Sequence, residues 1–262
     1  MDIIQAIKER RSVRSYLPTP LSAEQRRELT EFADTVPNPI GGKFTIRLKQ
    51  FDLQGDFKPS TYGIIQGAQD YFLMAIADDE TSKLAAGFCF EQIVLRACEL
   101  GLGTCWIGGT FKGTTFSGGE PWPEAETLKI VCPVGLPSKP RLIERLSRFT
   151  MRSDHRKPWD SLFFEGDFSH PLPRTTPFRE SLEMLRLSPS STNSQPWRIL
   201  VEGSDVHLYC QPQNALSPLD CGIALAHLYL TETHLGHQGQ ILKTATPLPH
   251  PTYKYLLTYR RK

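Results

Sequence analysis

The sequence predicts an α+β protein made of two degenerate repeats. Short apolar runs typical of buried strands alternate with segments whose apolar residues recur at helical spacing. The same order occurs twice: a helix and a loop, two strands, a long helix that stops at a glycine, and a final strand. With 262 residues, the chain can bury a substantial core, in one large domain or in two small ones.

The elements of the first repeat follow from local patterns. Asp2 and Ser22 are predicted to cap two helices, because each precedes an apolar-periodic run. The longest predicted helix covers residues 84–101, and Gly101 is placed to stop it. Strands are expected over residues 43–53, 71–77 and 128–135.

The second repeat is shorter and follows a polar segment. Residues 148–177, rich in Pro, Asp and basic residues, are interpreted as a connector between a first half (1–147) and a second half (178–262). Residues 219–224 and 234–239 line up with 84–89 and 99–104, which favours a tandem duplication over two unrelated α/β units. The elements expected in the second half are helices over 178–187 and 222–235 and strands over 198–201, 206–210 and 253–259.

Composition narrows the class of protein. Lys and Arg number 30 against 28 Asp and Glu, so the large basic excess of a nucleic-acid binder is missing. No apolar run approaches the ~18 residues that a membrane span needs, and the N-terminus lacks the pattern of a secretory signal. The six cysteines form no C-x-x-C pair and no metal-binding spacing. We therefore expect free, buried thiols and a cytoplasmic protein without a metal site.

Three segments contain groups suited to binding a ligand. The first, Arg10-Arg11-Ser12-Val13-Arg14, puts three guanidinium groups and a hydroxyl at the end of a helix. Guanidinium groups stay charged and match phosphate oxygens with fork-shaped donors, so a phosphate is the expected ligand. The alternative is a favourable placement of cations at a helix C-terminus, which contributes only ~0.3–1 kcal/mol.

The second and third segments would suit the rest of a nucleotide-like ligand. Residues 188–197 carry hydroxyl and amide groups on a tight turn, suited to a polyol chain or a heteroaromatic edge; the alternative is an ordinary loop with a buried Trp197. Glycines in residues 101–109 let the backbone approach a flat ring and point its N–H groups at it. The third segment lacks the G-x-G-x-x-G spacing and follows a helix, so a Rossmann site is not indicated.

Together the three segments resemble the FMN-dependent nitroreductase family. In that family a helix ends in R-R-S-x-R, a loop reads A-P-S-S-x-N-x-Q-P-W, and an E-L-G-L-G-T segment precedes a Trp or Pro and glycines. Arg156-Lys157-Pro158 matches the family's late basic pair. The resemblance covers most of the chain and implies a nitroreductase-like fold, with antiparallel-containing central sheets flanked by helices.

The resemblance also implies which residues bind FMN. Four residues would hold its phosphate or ribityl chain: Arg10, Ser12 and Arg14, with Arg11 alongside. Added charge would come from Arg156 and Lys157, and contacts from the opposite side from Ser190, Ser191 and Asn193, with Pro189 shaping the turn. Backbone N–H groups of Trp106, Ile107, Gly108 and Gly109 would face the ring's N5 edge. No general acid or base is assigned, because His155, His227 and His234 are expected to be surface or satisfied histidines.

One departure from the family is informative. The family's P-S-S-x-N loop follows R-R-S by roughly thirty residues, and two identical subunits share each FMN. Here residues 35–42 occupy that slot without the motif, whereas the second half has the motif and lacks R-R-S. Each half keeps what the other lost, which predicts an intramolecular pseudo-dimer with one FMN per chain and no need for a partner copy.

The reaction implied by the resemblance is ping-pong hydride transfer. NADH or NADPH would be the reductant, and nitroaromatics, quinones or activated alkenes the small-molecule acceptors. The alternatives are an FMN-binding or redox-sensing protein with little turnover and a structural relic without flavin. A nucleic-acid role is disfavoured, because no aromatic side chains interleave the Arg cluster.

Overall fold

A computed structural model describes residues 1–54, 58–116, 121–139 and 155–262. In chain order the first elements are α1 (Ile3–Glu9), α2 (Ala23–Thr35), β1 (Phe44–Gln50), β2 (Asp70–Ala77), α3 (Glu80–Glu99), β3 (Gly103–Thr104) and β4 (Glu126–Gly135). The later elements are β5 (Phe163–Glu165), β6 (Asp167–Pro171), α4 (Arg179–Arg186), β7 (Trp197–Glu202), β8 (Asp205–Cys210), α5 (Ser217–His234), β9 (Gly239–Leu242) and β10 (Lys254–Arg261).

The first two helices begin where their caps predict. The Asp2 carboxylate accepts the N–H of Gln5 at 2.8 Å. At α2, the Ser22 hydroxyl accepts the N–H of Gln25, and the Gln25 side chain accepts the N–H of Ser22 in return. These bonds satisfy backbone donors that have no partner within the helix.

Two sheets share one strand arrangement. The first sheet has the order β1-β2-β4-β3, and all its pairs are antiparallel. The second has the order β6-β5-β7-β8-β10-β9, in which β7-β8-β10-β9 repeats the first order with antiparallel pairing throughout. The predicted α+β class, with antiparallel-containing sheets flanked by helices, is confirmed.

The predicted connector needs a correction, because much of it is packed. Strands β5 and β6 lie inside residues 148–177, and β5 pairs in parallel with β7 at the edge of the repeated block. Trp159 is 2% exposed in the hydrophobic core beside the second sheet, and its Nε1 donates to the Leu172 carbonyl oxygen at 2.7 Å. The many prolines and charged residues of this segment obscured its few apolar residues, which are buried against the second sheet: Trp159, Leu162, Phe163 and Leu172. Residues 148–154 and the predicted boundary at 147 lie outside the described residues.

Helices α3 and α5 cross closely through two glycines. A Cβ on Gly87 would overlap the Leu219 carbonyl oxygen of α5, and one on Gly222 would overlap the Leu84 carbonyl oxygen of α3. The contact is reciprocal: Leu219 lies three positions before Gly222, and Leu84 lies three positions before Gly87. These residues are the ones that the sequence lined up between 84–89 and 219–224.

Both long helices also end in the same way. At α3, the N–H groups of Gly101 and Leu102 donate to Cys98 and Ala97, and Gly101 has a φ of +73°. At α5, the N–H groups of Gly236 and His237 donate to Thr233 and Glu232, and Gly236 has a φ of +82°. A left-handed residue at this point is common at helix C-termini and favours glycine.

Each long helix contributes to both hydrophobic cores. Leu84 and Phe88 of α3 pack in the core beside the second sheet, whereas Leu219 and Ile223 of α5 pack beside the first. The six cysteines are free, as expected, and five of them are buried. Among the described helices, none combines the length and apolar character that crossing a bilayer requires.

We expect Gly87→Ala and Gly222→Ala each to destabilise the fold by roughly 1–3 kcal/mol or more, because the added methyl forces two backbones apart. Gly113→Ala is the matched control, since its Cβ would meet only one atom, at 4.0 Å. Urea unfolding of the three variants measures the effect. Equal unfolding free energies for all three would contradict the close crossing.

Candidate functional site

The first segment lies beside the third. Helix α1 buries Ile4, Ala6 and Ile7 against Leu95 of α3 and Met184 of α4. Past Arg10 the chain runs along β3, where the N–H of Val13 donates to the Thr104 carbonyl oxygen at 2.9 Å. Gly103 allows this approach, because a Cβ there would lie 2.8 Å from the Val13 side chain. Two predicted segments are thus brought together by backbone pairing.

The third segment splits into a packed part and an exposed part. Trp106 donates from Nε1 to the Glu91 carboxylate at 2.8 Å and packs edge-on against Phe90. Ile107 exchanges both backbone hydrogen bonds with Val131 at 3.0 Å. Its N–H therefore cannot face a ring, which corrects the expectation for Ile107. Gly108 and Gly109 are exposed, and a Cβ on Gly109 would meet no atom within 4 Å.

The second segment forms a strained turn between α4 and β7. Thr192, Asn193 and Gln195 have φ values of +51°, +57° and +47°, which cost side-chain-bearing residues energy. Three backbone bonds hold the turn. The N–H of Ser191 donates to both Asp220 carboxylate oxygens at 3.1 Å, and the N–H of Gln195 donates to the Ser190 hydroxyl at 2.9 Å. Such strain persists where the surroundings over-determine it.

The basic pair binds this turn. Lys157 donates from its backbone N–H to the Gln195 side chain at 2.8 Å and from Nζ to the Ser194 carbonyl oxygen at 2.7 Å. Arg156 donates to the Leu187 carbonyl oxygen at 3.1 Å. Desolvation, with a smaller effect from Arg198, lowers the pKa of Lys157. These contacts join the connector segment to the second half, so the structure brings the pair to the 188–197 turn.

One face of α5 connects the segments from both halves. Leu216, just before α5, lies beside Gly108, 2.6 Å from where a Cβ would stand. One turn further, Asp220 accepts the N–H of Ser191. Farther along the helix, His227 hydrogen-bonds Glu91 of α3 at 3.0 Å. The turn at 188–197 and the glycines after Trp106 therefore lie along neighbouring parts of the same helix.

Sequence reasoning missed Glu91 and the connection that it makes. The Glu91 side chain is fully buried, 3.7 Å from Arg10 Nε, and it contacts Trp106 and His227. His227 also hydrogen-bonds the Met184 carbonyl oxygen through Nδ1, so it is a satisfied buried histidine, as expected. His155 and His234 are exposed. A carboxylate at a buried position of an apolar helix was the available clue.

Several buried polar atoms around these segments lack a hydrogen-bond partner within the described residues. They are Arg10 Nε, Ser188 Oγ, Ser194 Oγ, Trp197 Nε1 and Arg198 Nε. Buried polar groups are normally satisfied, so their concentration here indicates a ligand-binding region. Guanidinium and hydroxyl groups beside an exposed glycine backbone fit a phosphorylated polyol attached to a flat ring.

Asp220 gives this region a pH dependence. Burial raises the pKa of Asp220 to about 7 from the usual 3.8, although the N–H of Ser191 lowers it. The folded chain then holds a proton that the unfolded chain releases above pH 4. The contribution of Asp220 to stability therefore falls as pH rises from about 4 to about 7.

We expect Asp220→Asn to be about as stable as the parent at pH 4 and more stable at pH 8 by a few kcal/mol at most, given ~1.4 kcal/mol per pKa unit. The amide oxygen still accepts from Ser191. Thermal unfolding at both pH values measures this, with Asp34→Asn as the control because Asp34 is exposed. Parallel pH profiles for parent and Asp220→Asn would contradict the assignment.

The fold matches one of the solved structures compared across its whole length and two others over about half of it. A crystal structure of a "putative nitroreductase" from Thermotoga maritima aligns with a TM-score of 0.62 at 23% identity, covering 100% of this chain and 93% of the other. A nitroreductase in complex with FMN from Desulfovibrio desulfuricans covers 55% of this chain and 94% of its own, with a TM-score of 0.43 and 24% identity. One from Bacteroides fragilis with bound FMN covers 54% and 91%, with a TM-score of 0.41 and 18% identity.

The family comparison extends over most of the sequence. Comparison with curated proteins gives no match. The family model described as "Putative TM nitroreductase" matches residues 2–232, which include all three segments and the basic pair. The chain therefore belongs to this nitroreductase family.

Proposed function

We propose that this protein is an FMN-dependent NAD(P)H oxidoreductase that reduces nitroaromatic, quinone or activated-alkene acceptors by ping-pong hydride transfer. One observation carries the proposal: α5 connects the 188–197 turn of one half to the glycines and the Arg10 region of the other. Unpartnered buried polar atoms on both sides support it. Family membership and the FMN named for two related structures agree with it.

The chain's own residues would bind and orient the cofactor. Arg10, Ser12 and Arg14, with Arg11 exposed alongside, would hold the phosphate or ribityl chain. Ser190, Ser191 and Asn193 would contact the ligand from the second half, on a turn that Asp220 and Arg156-Lys157 hold. Backbone N–H groups of Trp106, Gly108 and Gly109 are left for the N5 edge, since that of Ile107 is used.

FMN, when bound, supplies a two-electron carrier that takes hydride from a nicotinamide and passes it to an acceptor. The protein's contribution would be electrostatic. Fixed N–H dipoles at Gly108 and Gly109 would favour negative charge on the ring, and arginines would neutralise the phosphate. Gly109 leaves open space on its side, which would let nicotinamide and acceptor enter in turn.

A single FMN per chain follows from the asymmetry of the two repeats. At the position equivalent to the proposed site, a cavity of about 110 Å³ takes its lining largely from aliphatic residues, among them Ile40, Leu84 and Ile241. It includes Pro39 and Ile40 from the slot that lacks the P-S-S-x-N motif. No arginine lines it, and the lining pairs Lys243 with the acidic Glu80, so a phosphate would find no guanidinium and little net positive charge there. We infer a fused pseudo-dimer with one retained site, and hence a monomer.

We expect the purified protein to show flavin absorbance at about one FMN per chain, bleached by NADH or NADPH without oxygen. Arg14→Ala and Asn193→Ala should each weaken FMN binding by roughly 10–100-fold, because each removes a ligand hydrogen bond. Arg27→Ala is the control, since Arg27 is exposed on α2. Fluorescence titration of FMN measures the affinity.

The outcome also separates the alternatives. A bound flavin that resists bleaching by both nicotinamides would favour the redox-sensing protein with little turnover. A protein that takes up no added FMN would overturn the proposal and favour a structural relic.

A further inference from the structure

We propose that Glu91 is a positioning residue that holds Arg10 in place for the FMN phosphate, and that His227 of the second half anchors Glu91. This inference rests on the proposed function, because it names the support of the same site. Its basis is the buried contact between Arg10, Glu91 and His227, which joins α1, α3 and α5.

Arg10 is held by charge rather than by hydrogen bonds. Its side chain is 6% exposed, and its Nε lies 3.7 Å from Glu91 Oε1, too far for a hydrogen bond. Nε has no hydrogen-bond partner within the described residues. A buried cation is therefore kept near a carboxylate while its Nε stays uncommitted. That is the state in which a guanidinium can still give a bidentate contact to phosphate.

Glu91 is fixed by two other donors. Its Oε2 accepts the indole N–H of Trp106 at 2.8 Å, and its Oε1 faces His227 Nε2 at 3.0 Å. The carboxylate is 0% exposed, so water cannot replace either partner. With both oxygens occupied, the carboxylate keeps one orientation, and the position of Arg10 follows from it.

His227 ties this carboxylate to the second half. A carbonyl oxygen only accepts, so His227 Nδ1 carries a proton and donates it to Met184 at 2.9 Å. The bond between Nε2 and Glu91 then contains one further proton, whichever atom carries it. Arg10 thereby depends on α5, although it lies in the first half.

Glu91→Gln separates charge from packing. The Gln oxygen can accept from Trp106, and its amide N–H can donate to a neutral His227, so every hydrogen bond of the network can be kept. The carboxylate charge beside Arg10 is lost, together with the proton that Glu91 and His227 share. That charge acts on the phosphate through Arg10. The substitution should therefore weaken the binding of FMN and leave the binding of riboflavin, which has no phosphate, little changed.

The experiment is a titration of the apoprotein of each variant with FMN and with riboflavin. We expect Glu91→Gln to weaken FMN binding by roughly 3–10-fold and Arg10→Ala by roughly 10–100-fold, with riboflavin affinity little changed in both. The double variant should lose no more than Arg10→Ala alone, because the two residues act as one unit. Glu99→Gln on the same helix is the matched control, since its partner is Arg96.

A second pair of variants tests the anchor. His227→Gln can still donate to Glu91, so it should keep the parent's ratio of FMN affinity to riboflavin affinity. His227→Leu cannot donate, so this ratio should fall. Equal losses for FMN and riboflavin in Glu91→Gln, no loss at all, or additive losses in the double variant would overturn the inference. A parent chain that binds neither flavin would instead overturn the proposed function itself.

Discussion

The close crossing of α3 and α5 is the contact on which the rest of the structure depends. Gly87 and Gly222 let the two backbones meet with no side chain between them. Because the helices lie so near, side chains from each reach past the other into the opposite core, as Leu84 and Leu219 do. The two repeats are therefore interlocked rather than joined by a linker, and neither core is complete without the other half.

The same crossing brings polar groups of different halves within hydrogen-bond distance. Glu91 and His227 meet where the helices run side by side, and both are fully buried. An unpaired charge at such a place would cost several kcal/mol, so the partners have to be present together. Arg10 adds a further cation, and its uncommitted Nε lies at the end of α1, next to the backbone of β3.

The corresponding positions on the two sides of this helix pair differ in chemistry. One has arginines, a strained polar turn and exposed glycines, whereas the other has a small cavity lined largely by aliphatic residues. A strained turn such as 191–195 persists only where neighbouring contacts hold it, and Asp220, Lys157 and Ser190 provide them. A single polar site in a two-fold arrangement is what the proposed one-flavin stoichiometry requires.

The sequence by itself determined the ends of several helices and the three motif segments. Helical periodicity with caps at Asp2 and Ser22, and glycines at 101 and 236, predicted helix ends because these signals act within a few residues. It also predicted the second repeat from the residues around Gly87 and Gly222. Only the tertiary structure decided that β5 and β6 are strands: they have three and five residues, too few for a clear strand pattern, and β5 forms by pairing with β7.

The structure likewise decided which donors remain available. The position of Ile107 beside glycines predicts an N–H available to the flavin ring. In the structure this N–H donates to the carbonyl oxygen of Val131, which is distant in sequence. Glu91 showed no motif, because its meaning depends on Arg10, Trp106 and His227, which come together only in the folded chain. Local rules predict what a segment can form, whereas long-range packing decides which of its polar groups are left for a ligand.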